Sequence, residues 1–222
     1  MFKLLLAALF AVAVTSAHAE QIRVDTQLVL AVDVSGSINT ASFRMQTEGI
    51  AAALTDPRFM ETIQRGRFQR IGITYMQWSG MGQQHASQWV LIQDEHDARA
   101  FAQLVLSTPR AFRDGTIISD ALRAAGALIE RSPFEADRTV IDVSGDGMDT
   151  FAAYGEFVTE QRDALLSMGY IINGLPIIND EPFIADYYRD NVVGGFGSFL
   201  IVATGFQDIA RAFLQKLLLE IS

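Results

Sequence analysis

Cysteine is absent from this 222-residue chain, which removes disulfides, thiol nucleophiles and every cysteine-containing metal site. Lysine is nearly absent. Lys3 and Lys216 are the only two, and all other basic residues are arginine. A phosphate-binding P-loop or a Schiff base needs a lysine in a set motif, and neither stands in one. No Gly-x-Ser-x-Gly occurs, so there is no nucleophile elbow. Positive charge is short throughout: 17 Lys+Arg face 26 Asp+Glu, a formal charge of −9, which excludes a nucleic-acid partner because nothing would neutralise the phosphates. Half the residues are hydrophobic, enough for one domain with a sizeable core.

Residues 1–19 have the three parts of a secretory signal peptide: Lys3 as the positive start, an apolar run from Leu4 to Val14, and Ala17-His18-Ala19 as a small-x-small cleavage site. The run is shorter than the roughly 20 residues that span a bilayer, and no later segment reaches that length. The expectation is an exported protein, periplasmic or secreted from a Gram-negative bacterium, with a single domain over residues 20–222 and no transmembrane segment after cleavage.

Within that domain, β-rich runs alternate with segments of helical period, the pattern of a parallel sheet covered by helices. Thr26–Val34 is a nearly continuous apolar run ending in a turn, as a strand buried on both faces should be. Further strands are predicted at Arg67–Trp78, Ser87–Gln93, Arg138–Ser144, Tyr170–Ile178 and Ser198–Thr204. Helices are predicted after Asn39 and over Glu95–Leu106, Thr116–Glu130, Phe157–Ser167 and Gln207–Ile221. The expected fold is a three-layer Rossmann-like α/β domain. Its six-stranded, mostly parallel sheet has one antiparallel edge strand and helices on both faces.

Chemistry concentrates where strands end. Asp33-Val34-Ser35-Gly36-Ser37 follows the first buried strand and can turn three hard oxygen side chains towards one point, which suits Mg²⁺, Ca²⁺ or Mn²⁺. Asp-x-Ser-x-Ser alone is weak, because Asp and Ser also cap helices and make turns. Two further loops strengthen it: Arg113-Asp114-Gly115-Thr116 opens a helix with a hydroxyl, and Ser144-Gly145-Asp146-Gly147 ends a buried strand with a carboxylate. In an open α/β sheet all three fall at the strand C-termini, where ligands bind.

On these residues the chain resembles the von Willebrand factor type A domain with its metal-ion-dependent adhesion site. That family's pattern is Asp-x-Ser-x-Ser, then a Thr, then an Asp, matched here by Asp33, Ser35 and Ser37, then Thr116, then Asp146. The third loop reads Ser-Gly-Asp-Gly where many relatives have Thr-Asp-Gly. Asp114 and Ser119 stand close enough in sequence to exchange roles with Thr116. Gly194-Gly195-Phe196-Gly197 and the Lys-Leu-rich final helix resemble a bacterial secreted subfamily, a domain of unknown function. The resemblance implies a divalent cation, Mg²⁺ before Ca²⁺ or Mn²⁺, held by Ser35, Ser37 and Thr116 with Asp33 and Asp146 nearby. It also implies a protein partner whose Asp or Glu carboxylate completes the coordination, in a non-enzymatic binding domain. The alternative is a metal-dependent hydrolase using the same cation to activate water. His85 and His96 read as solvated or capping residues, and Gln93–Asp97 as an acidic helix start rather than a second metal site.

Overall fold

The computed structural model describes residues 21–150, 156–179 and 181–222. The predicted leader, residues 1–19, lies outside them. β1 (Ile22–Asp33) is the central strand, and its last eight residues are buried without a break. Leu28, Leu30 and Val32 face one core, and Val29 and Ala31 the other. A strand with helices on both sides reads as a continuous apolar run for this reason.

β1 pairs in parallel with β2 (Ile71–Trp78) on one side and with β5 (Phe134–Gly145) on the other; β6 (Ile171–Pro176) continues the parallel sheet beyond β5. Two short strands, β3 (Gln84–Ala86) and β4 (Val90–Ile92), share the edge beyond β2 and run antiparallel to it. The single strand expected over 87–93 is therefore divided. Ser87 causes the break: its hydroxyl accepts from the Tyr75 amide (3.1 Å), and Thr74 Oγ1 donates to its carbonyl (3.0 Å). At the opposite edge, the strand expected over 198–204 is a run of isolated bridges, Gly174 with Leu200 and Ile177 with Ala203.

The first core is covered by α1 (Thr40–Leu54), α2 (Pro57–Ile63), α3 (Glu95–Ser107) and α7 (Ile209–Glu220); the second by α4 (Ile118–Glu130), α5 (Glu156–Ser167) and the single turn α6 (Ile184–Tyr187). Asn39 caps α1 by accepting from the Ser42 amide (2.9 Å). Asp94 caps α3 by accepting from the Asp97 amide (2.9 Å), so Gln93–Asp97 is a helix start. α2 was not expected from periodicity; Asp56 caps it and Pro57 supplies its first turn. Trp78 is buried, while half-buried Trp89 donates its indole N–H to Leu128 O (3.2 Å). The three-layer α/β architecture thus places the ends of β1, β2, β5 and β6 on one rim.

Candidate metal centre at the strand C-termini

The turn after β1 is fixed by its own backbone. Asp33 Oδ1 accepts from the Ser35 amide at 2.7 Å, Val34 N donates to Trp78 O (2.9 Å), and Gly36 N donates to Asp114 O (2.7 Å). A Cβ on Gly36 would lie 3.2 Å from Arg113 O, so the close crossing of the two loops favours glycine there. Behind the turn, the Arg110 guanidinium donates to the carbonyls of Val34 (2.9 Å), Ser35 (2.6 Å) and Phe112 (3.0 Å). Gln46 of α1 donates to Asp33 O (3.0 Å). The sequence reading did not find Arg110 or Gln46. Their side chains bond backbone carbonyls from a distant loop and a helix face, which leaves no local motif.

This frame brings four of the predicted residues into one chain of contacts. Ser35 Oγ lies 3.2 Å from Ser37 Oγ, and Ser37 Oγ donates to Asp146 Oδ1 at 2.7 Å. Asp33, Ser35 and Asp146 are buried, whereas Ser37 is exposed, so the cluster opens to solvent through that serine. Thr116 borders it from α4's approach. Its Oγ1 lies 3.2 Å from the point a Cβ on Gly147 would occupy, immediately after Asp146. Thr150 holds this crossing by accepting from Thr116 N (2.9 Å) and donating to Thr116 O through its amide and its hydroxyl (2.7 Å each).

The other two residues face elsewhere. Asp114 accepts from Gln83 Nε2 (3.0 Å) and the Gly115 amide (2.9 Å). Ser119 stands against Asp149 Oδ2, with its amide 3.2 Å and its hydroxyl 3.4 Å away.

Beneath the cluster two polar atoms converge. Asp33 Oδ2 and Tyr188 Oη lie 2.8 and 2.6 Å from where a Cβ on Gly145 would stand, and each is buried without a hydrogen-bond partner among the described residues. Tyr188 opens a π-helical turn, Tyr188–Val192, that follows α6. It is fully buried at this site, whereas Phe183 just before α6 is exposed. Burial pushes the Asp33 carboxyl up to about 7, reinforced by the Asp146 charge and opposed by the bonds from Ser35. Burial also pushes the Tyr188 phenol well up, helped by the charges of Asp33 and Asp146. The Arg110 guanidinium is lowered by burial and by Arg113, against the pull of both carboxylates.

A separate group, Asp94, His96 and Asp97, also brings three ligand atoms within 4.8 Å of one another. Its carboxylates are engaged in starting α3: Asp94 Oδ1 caps Asp97 N, and Asp97 Oδ2 accepts from Gln93 N at 3.2 Å. His85 and His96 are both exposed.

The sheet order and the rim of strand ends define a von Willebrand factor type A fold, and solved structures agree. The chain is similar to mussel byssus proximal thread matrix protein 1 with a zinc-occupied MIDAS motif. That likeness has a TM-score of 0.62 at 14% identity and covers 89% of this chain and 46% of that one. It is similar also to a von Willebrand factor type A protein from Catenulispora acidiphila (TM-score 0.57, 15% identity, 88% and 42% covered). A third likeness, to the SpRpn10 VWA domain, has a TM-score of 0.56 at 13% identity, with 86% and 95% covered. Within that fold the chain belongs to the family described as protein of unknown function (DUF1194), whose model matches residues 23–222. Part of the chain is also similar to the glycerol-3-phosphate acyltransferases of two Pseudomonas aeruginosa strains, 27% identical over 117 residues. That match covers 53% of this chain, which spans only 13% of those proteins.

Proposed function

We propose that this chain is an exported protein-binding domain that depends on a divalent cation. The cation is held by Ser35, Ser37 and Thr116, with Asp33 and Asp146 contributing directly or through water. The observation that carries the reading is Asp33 Oδ2, an oxygen buried at the rim that has, among the described residues, no hydrogen-bond partner and no basic side chain bonded to its carboxyl group. A buried carboxylate needs a counter-charge. The surrounding donors are all hard oxygens, which suit Mg²⁺ first and Ca²⁺ or Mn²⁺ next. The zinc-occupied motif of the mussel protein supports a cation on this fold.

When bound, a divalent ion balances the two carboxylates and offers a Lewis-acidic position to a further oxygen ligand. The chain's own residues do the rest. Arg110 and Gln46 hold the loop, Thr150 holds Thr116, and exposed Ser37 marks the open side from which a partner's Asp or Glu can approach. Binding rather than turnover is the assigned role, because the groups beside the two carboxylates are a guanidinium and a phenol that stays protonated, neither of which can act as a general base. Export rests on the leader pattern of residues 1–19.

The test is titration calorimetry with Mg²⁺ on the purified protein and on Ser37→Ala. The wild type should bind one ion and the variant should bind it at least tenfold more weakly with an unchanged fold. Equal affinity would overturn the assignment. Metal-dependent turnover of generic ester or phosphate substrates would replace the binding role with the hydrolase.

A further inference from the structure

The turn after β2, the start of α4 and the start of α5 meet beside Thr116 to form a shallow groove of about 110 Å³, lined by Met81, Ile117, Ser119, Asp120, Arg123 and Phe157. Ile117 follows Thr116 directly, and Ser119 stands three residues beyond Thr116 in the first turn of α4. The groove is therefore continuous with the candidate cation site. Met81 and Phe157 are large apolar side chains held in solvent, 70% and 56% exposed, one on the turn after β2 and the other in the first turn of α5. Two such residues facing one depression mark a contact surface rather than scattered exposure.

Positive charge is available beside it. Asp120 is nearly buried, and its two oxygens accept from the Gly82 amide (2.6 Å), from Gln84 Nε2 (2.7 Å) and from Arg123, leaving it no free face. Asp114 is likewise engaged with Gln83 and Gly115. Arg123 bonds Asp120 with one edge of its guanidinium while its side chain stays 60% exposed. Arg113, on the loop that crosses Gly36, is exposed as well. In a chain of formal charge −9, Arg113 and Arg123 present outward positive charge beside this groove.

We propose that the groove is the second half of the binding surface. It takes a bulky apolar side chain that neighbours the metal-seeking carboxylate in an acidic segment of a partner protein, and Arg123 receives a further carboxylate of that segment. This rests on the cation-dependent binding proposed above. The metal supplies the polar anchor common to any acidic ligand, and the groove selects among such ligands by apolar burial, as hot-spot pockets do.

The probes are two fluorescein-labelled peptide pools, identical in a central Asp and two flanking acids. They differ only in carrying Leu or Phe, or else Ser, on either side of that Asp. Polarisation with saturating Mg²⁺ should show the apolar pool binding about tenfold tighter, the factor expected for burying one such side chain. Met81→Ser combined with Phe157→Ser should abolish that preference while leaving calorimetric Mg²⁺ affinity and the thermal melt unchanged. Arg123→Gln should weaken both pools severalfold. Equal binding of the two pools by a protein that still binds Mg²⁺ would overturn the groove and leave the cation site standing. Pool selectivity that survives in chelator, or a protein that binds no Mg²⁺, would overturn both.

Discussion

Two buried acidic clusters lie near the C-terminal end of β5, and they are built in opposite ways. In the interior, Asp142 of β5 meets Lys216 of α7 at 2.6 Å, and Lys216 also pairs with Glu220 one turn further on. Asn173 of β6 donates to Glu220 Oε1 (3.1 Å) and accepts from the Phe199 amide (3.0 Å), and the Lys216 ammonium stands 5.7 Å over the Phe199 ring. All four polar side chains are buried. Four residues along from Asp142, Asp146 belongs to the rim, where it gathers with Asp33, Ser35 and Ser37, and among the described residues no ammonium or guanidinium is bonded to the Asp33 carboxyl group. The nearest guanidinium, Arg110, bonds carbonyls instead. The interior cluster carries its cation in the chain and is closed; the rim cluster opens to solvent at Ser37 and, in the function proposed above, takes its cation from outside.

The largest effect should come from removing the internal cation. Lys216→Met leaves two carboxylates in a closed apolar layer and should cost about 3–5 kcal/mol at neutral pH, measured by urea unfolding. The loss should shrink at pH 5, where the carboxyls take up protons. A loss below about 1 kcal/mol at neutral pH would break the contrast between the clusters. Next comes Gly145→Ala, whose methyl would press on both Tyr188 Oη and Asp33 Oδ2. Overpacking of this kind costs about 2 kcal/mol, and Mg²⁺ affinity in calorimetry should fall with it. Asp33→Asn should act in the opposite direction to Lys216→Met. It keeps an oxygen for the Ser35 amide but removes a buried charge, so the chelated protein should gain about 1 kcal/mol, or roughly 2–4 °C in Tm. The Mg²⁺-dependent rise in Tm expected of the wild type should then be lost.

The contrast also explains what was legible in the sequence. β1 and β5 were readable because burial on both faces demands an unbroken apolar run, and the rim residues because strand ends place Asp33, Thr116 and Asp146 on one edge. The choice among Thr116, Asp114 and Ser119 was not readable: three polar residues across a loop and the helix start that follows it differ only in which neighbour each meets in space. The interior cluster was invisible for the same reason. Lys216, Asp142 and Asn173 come from α7, β5 and β6, and each alone looks like a polar exception in an apolar pattern. The edge strands were misjudged where side-chain bonding to the backbone, as at Ser87, displaced regular pairing.

The smallest effect tests whether the interior cluster shares a proton. Burial, with the Asp142 charge adding to it and Lys216 opposing it, pushes the Glu220 carboxyl from its ordinary value up to about 7; burial raises Asp142 in the same direction. Between about pH 4.5 and 7 the folded chain therefore holds a proton that the unfolded chain has released. The unfolded state binds fewer protons across that window, so stability falls as pH rises through it, and is flat on either side. Glu220→Gln keeps an oxygen to accept from Lys216 and Asn173 but removes the titration. With chelator present, the drop in unfolding free energy between pH 5 and pH 7.5 should be smaller in the variant by about 1 kcal/mol or less, because Asp142 can still take part of the shared proton. Asp33 titrates alike in both proteins and cancels from the difference. An unchanged slope would mean that Glu220 stays ionised beside Lys216, and that the two clusters differ in access alone rather than in how each balances its charge.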